Sequence, residues 1–133
     1  MKRRSRRGQA LVEWALLLPL FFLILMGLLD AGRAIYAYNT VANSARYAAR
    51  VAMVNQDEPT VLAAAVGKGV GLGLATTDVT CTGCVTGGAS ATPGDSVAIT
   101  VTYDYEPATP LIGDIFNPTI SSTAVMQIER VNP

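Results

Sequence analysis

Arg6-Arg7-Gly8-Gln9-Ala10-Leu11-Val12-Glu13-Trp14 leads without a break into an apolar run that ends at Leu29. How this stretch is read decides the arrangement of everything after it. Between Ala10 and Leu29 the one ionisable residue is Glu13. At a helical rise of about 1.5 Å per residue the segment reaches about 30 Å, the thickness of a bilayer's hydrocarbon core, so it can span. Lys2, Arg3, Arg4, Arg6 and Arg7 precede it, and only Arg33 and Arg46 occur in the next twenty residues. The positive-inside rule therefore keeps the N-terminus cytoplasmic and exports the remainder. A removed secretory signal fits less well, because the run exceeds a usual signal core and Leu29-Asp30-Ala31 is a poor cleavage site. Glu13 has two readings. Charge in a spanning segment is costly, which argues for a use, yet a carboxylate so near the segment's start can also snorkel to the headgroups.

The chain has 133 residues, with 10 basic and 10 acidic side chains and no histidine. The balance is uneven, since five basic residues lie before Gly8 and all ten acids after it, leaving residues 9 to 133 at about −5. An acidic exported part argues against a nucleic-acid partner, which would need a basic patch. Lack of histidine removes the commonest metal ligand and general base. We therefore expect no enzyme, no cofactor, no metal and no small-molecule substrate. Asp104, Glu106 and Asp114 are explained as solvated positions on a strand and a loop.

From Asp30 to Asn55 the chain is rich in alanine and free of proline, with Ile35, Tyr38, Ala42, Ala45, Ala49 and Ala52 at helical spacing. One helix of roughly 45 residues results, lipidic in its first half and amphipathic in its second. Pro19, Gly27 and Gly32 are weak points within it. Tyr36, Tyr38 and Tyr47 are expected to pack in the core against the sheet, the alternative being that they face a neighbouring molecule. Asn55-Gln56-Asp57-Glu58-Pro59 ends this helix, and Thr60 to Val66 reads as a short second one. Gly67, Gly69, Gly71 and Gly73 then mark a loop, without the lysine and hydroxyl residue of a phosphate-binding loop.

Beyond Asp78 the period changes to two. Val97, Ile99, Val101, Tyr103 and Tyr105 alternate with Ala98, Thr100, Thr102 and Asp104, as in a strand with one buried face. Ala91 to Asp95 supplies a turn before it, Asp78 to Val85 is its expected hairpin partner, and Ile120 to Ile128 alternates again after a loop holding Pro107, Pro110, Gly113 and Pro118. The fold class is thus α+β, a long N-terminal helix packed on a small antiparallel sheet, since neither layer buries its apolar side alone. Its parts are a basic leader over 1–8, a transmembrane helix over 9–30, an exported amphipathic continuation over 31–55 and an exported head over 56–133. Cys81-Thr82-Gly83-Cys84 lacks the second pair that zinc requires and the helix start of a thioredoxin-like site. A structural disulfide fits this exported loop best, with free thiols as the alternative.

The block from Arg6 to Leu20, followed by Gly27-Leu28-Leu29-Asp30-Ala31-Gly32-Arg33-Ala34 and Tyr36, resembles the TadE-like family, minor pseudopilins of the tight-adherence (Tad) pilus machinery. The tail with Tyr103-Asp104-Tyr105-Glu106-Pro107 and Thr119 to Arg130 is also similar to that family. The resemblance implies a pilin-like fold at the inner membrane and a role in building a pilus for adhesion or secretion. It also implies a prepilin peptidase that cuts after Gly8, so that Gln9 becomes the new N-terminus and Glu13 stands fifth beyond the cut. Other pilin or pseudopilin subunits, the assembly platform and membrane lipid are the partners it implies. A carboxylate one turn along a neighbour's helix would neutralise the new ammonium at Gln9 in low dielectric, so Glu13 would set subunit registry. Trp14 stands where the family commonly has tyrosine or phenylalanine. The alternative is an uncleaved single-pass anchor with an exported binding domain that does not polymerise.

Overall fold

A computed structural model describes residues 5–85, 92–109 and 117–129, with side chains from Gly8 onward. Lys2, Arg3 and Arg4 of the leader, Ala91 of the expected turn, and Pro110, Gly113 and Asp114 of the expected loop lie outside these residues. Helix α1 runs Ser5–Ala52, helix α2 Glu58–Lys68, a 3-10 turn Thr76–Asp78, and strands β1 Val79–Thr82, β2 Ser96–Asp104 and β3 Thr119–Gln127. The strands form one antiparallel sheet in the order β1-β2-β3. Register places Thr80 opposite Thr100 and Thr100 opposite Thr123, while Ile99 lies between Cys81 and Ala124.

Helix α1 passes through Pro19 and ends at Ala52, whose carbonyl is taken over by a polar side chain. The Gln56 amide donates to the Ala52 carbonyl at 2.9 Å and is buried, and the Asn55 side chain accepts from the Asp57 N–H at 3.0 Å. Such bonds satisfy groups that a helix end leaves open. Asp57 then precedes α2, with Pro59 in the first turn, where its missing N–H costs nothing, and Asp57 accepting from the Thr60 hydroxyl at 2.6 Å.

The sheet lies along the second half of α1. The hydroxyl of Tyr105, just past β2, meets Asp30, whereas the Glu129 N–H, just past β3, donates to the Met53 carbonyl at 3.2 Å. Strand β2 therefore runs against the direction of α1 and β3 runs with it. Lengths agree, because nine strand residues at about 3.3 Å each and the helix from Asp30 to Met53 at about 1.5 Å per residue both cover roughly 30 to 35 Å. The core is the seam between them. Val41, Ala45, Ala48, Ala49 and Ala52 of α1, Val61 and Ala65 of α2, and Val97, Ile99 and Val101 of β2 are fully buried. Alanines on the helix let the sheet approach closely, and the branched residues of β2 fill the remaining space.

The expectation for the tyrosines is overturned. Tyr36, Tyr38 and Tyr47 are exposed, and so is Ile35, because the sheet sits over the line Ala37, Val41, Ala45, Ala48 and Ala52 rather than over Ile35 and Tyr38. Two of the rings serve the flank next to α2 instead. The Tyr36 hydroxyl donates to the Val70 carbonyl at 2.9 Å, and the Lys68 ammonium stands 4.7 Å from the Tyr47 ring centre. The glycine loop is built for that approach, since Gly71 has φ +84° and a side chain there would meet the Tyr36 hydroxyl.

Candidate functional site

Gly8, Gln9, Glu13 and Trp14 all lie in the first turns of α1 and are all exposed. Nothing approaches within 4 Å of where a Gly8 side chain would begin. Gln9 and Glu13 are one turn apart on the same side of the helix, the spacing at which side chains become neighbours. Among the described residues Glu13 has no ion-pair partner. Trp14 opens an apolar groove of about 310 Å³ on the helix surface, continued by Leu17, Leu18, Leu20, Phe21 and Ile24. Among the described residues α1 is the one helix long and apolar enough to cross a membrane, and none of its most apolar stretch is buried within the chain.

A second group of residues gathers where the apolar half of α1 ends. The Asp30 carboxylate is buried and accepts from the Ala108 N–H at 2.8 Å, the Thr109 N–H at 3.0 Å and the Thr109 hydroxyl at 2.5 Å. Arg33, one turn on, places a guanidinium nitrogen 3.5 Å from it. The backbone carbonyl of Asp30 accepts from the Tyr105 hydroxyl at 2.8 Å, and the Arg33 guanidinium stands 5.9 Å from the Tyr105 ring centre. Burial pushes the Tyr105 phenol up from its ordinary value, and the Asp30 charge adds to that while Arg33 opposes it. The phenol is thereby kept as a donor. Sequence reasoning missed this group, although an acid closing an apolar run is a signal that could have drawn attention to Asp30.

Cys81 and Cys84 are joined as a disulfide, with Cα atoms 5.7 Å apart, at the end of β1. Gly83 between them has φ +91°, and a side chain there would sit 2.8 Å from the Ser96 carbonyl oxygen, so the close turn requires glycine. A hollow of about 210 Å³ is lined by Leu72, Gly73, Asp78, Thr102, Tyr103 and Asp104. Among the described residues no three His, Cys, Asp or Glu side chains come together as a metal site.

A small α+β head built along the upper half of a stalk whose lower half is bare and apolar defines the class: a protein with one N-terminal helix compatible with a single-pass membrane anchor. Residues 8–50, which make up most of the stalk, match the model of the family described as TadE-like protein. No curated protein and no solved structure matches the chain.

Proposed function

We propose that the chain is a non-enzymatic, pilin-like minor pseudopilin that takes part in assembling a Tad-type pilus for adhesion or secretion. In this reading residues 1–8 are a cytoplasmic leader, 9–30 span the inner membrane, 31–55 carry the stalk outward, and 56–133 form the exported head. A prepilin peptidase removes the leader after Gly8. The ammonium so created at Gln9 meets Glu13 of a neighbouring subunit, with the Trp14 groove packing against that neighbour's helix. Pilin or pseudopilin subunits, the assembly platform and lipid are the partners.

One observation carries the reading. Of the two acids on the family-matched stalk, Asp30 is satisfied within its own chain, and Glu13 has no ion-pair partner among the described residues. A carboxylate left open on an apolar helix is stabilised most by a cation supplied from outside. Mass spectrometry of membrane-extracted protein tests the processing step, with a mature N-terminus at Gln9 expected and an intact Met1 or Lys2 terminus counting against it. Glu13→Ala tests the registry role, and unchanged surface piliation in that variant would remove it.

The second reading is the uncleaved anchor with a non-polymerising binding head. It draws on the continuity of α1, which runs as helix straight through the Gly8–Gln9 bond. Cutting there requires that first turn to open, which Gly8 eases by about 1 kcal/mol relative to alanine.

A further inference from the structure

We propose that Asp30 is a latch that locks the base of the head to the stalk, so that the two move as one body. Among the described residues every hydrogen bond from the segment 105–109 to α1 ends on this one residue: two backbone N–H groups and a hydroxyl on its carboxylate, and the Tyr105 phenol on its carbonyl. The far end of the sheet is held differently. There the Glu129 N–H bonds the Met53 carbonyl, and the chain itself turns from α1 into α2. At the same end the Arg33 guanidinium also stands over the Tyr105 ring, while Gly32 faces open space and Ile35 is exposed.

The chemistry suits a latch. A buried carboxylate needs donors, and segment 105–109 supplies three of them at normal lengths; Arg33, more than half exposed, reinforces the charge without sealing it. Opening would exchange three charge-assisted bonds for water, and since bonds to a carboxylate are stronger than neutral ones the closed form is favoured. The position matters as much as the strength. Asp30 ends the bare half of α1, so it is the first point at which a turn or pull on that half meets the head, ahead of the alanine seam. This inference stands whether or not the chain polymerises.

The test uses the full chain in nanodiscs and compares Asp30→Ala with the parent by amide hydrogen exchange. Exchange at Ala108 and Thr109 should accelerate by about tenfold or more while Ile99 and Val101 in β2 keep their protection. Unchanged exchange at Ala108 and Thr109 would overturn the latch. Equal acceleration throughout β2 would also overturn it, because it would mean a general loss of stability. Orientation is read separately, with spin labels on Asn39→Cys of the stalk and Ser121→Cys of the sheet, both exposed positions. The inter-label distance distribution should broaden in the Asp30→Ala background, and an unchanged width overturns the proposal. Should Asp30→Ala fail to fold, Thr109→Val removes one donor and leaves the rest. It should loosen the same two amides to a smaller extent, and no change in them would count against the latch.

Discussion

The two halves of α1 share one helical backbone but differ in side chains, the first almost wholly apolar and the second amphipathic. Below Asp30 the helix carries large residues that stay bare, Leu16 and Leu28 each at 73% exposure. Above it the buried line is Ala37, Val41, Ala45, Ala48 and Ala52, mostly the smallest side chain that still favours helix. Lipid accepts any apolar shape, so bulk is useful there, whereas a sheet packed on a helix needs small residues at the contact to come close. The same contrast holds for the two acids. Among the described residues Glu13 in the bare half has no ion-pair partner, whereas Asp30 at the start of the covered half is bonded by the chain's own loop.

The comparison can be broken most sharply by equivalent truncations in each half. Ile99→Ala in the centre of the head removes a fully buried side chain and should destabilise the head by about 2 to 5 kcal/mol. Leu17→Ala on the bare half should alter head stability by less than about 0.5 kcal/mol. Denaturant unfolding of the micelle-bound protein, followed by tyrosine signals of the head, separates the two. Gly83→Ala comes next. Forcing a side chain onto a backbone at φ +91° against the Ser96 carbonyl should cost about 1 to 3 kcal/mol, read as a lower midpoint in the same experiment.

A smaller effect sharpens the picture of the boundary. The Tyr105 phenol is raised above its ordinary value of 10.0, so the folded state prefers it protonated. Its contribution is complete below pH 10 and is lost as the pH climbs through the higher folded value. Tyr105→Phe should flatten that alkaline loss in a stability-against-pH curve while lowering stability at neutral pH by about 0.5 to 1.5 kcal/mol. Smallest of all, Glu13→Ala should leave head unfolding unchanged within about 0.5 kcal/mol, although assembly depends on it in the proposed reading. A clear stability change there would show that Glu13 serves its own chain, as Asp30 does.

Much of the architecture was legible along the chain. Unbroken apolarity to Leu29, alanines at helical spacing to Ala52, and alternation over Val97 to Tyr105 and Ile120 to Ile128 each report a local period that the backbone must follow. The segment from Gly8 to Glu13 was legible as a pattern of residue types. The tyrosines were misread because helical spacing limits which residues share a face but not which face the sheet will cover. Ile35 and Tyr38 repeat as well as Ala45 and Ala52 do, and only the packing partner distinguishes them.

What the sequence determined alone is therefore what local composition and short-range periodicity govern: a stalk able to span lipid, a second helix, and strands with one apolar face. The tertiary structure decided the choice of seam on α1, the outward turn of its tyrosines, and the union of Asp30 with Tyr105, Ala108 and Thr109. Those partners lie more than seventy residues apart in the chain, and hydrogen bonds of a few ångströms leave no trace in any local period. They exist only because a sheet running along the helix brings the end of β2 down to the point where the apolar half ends.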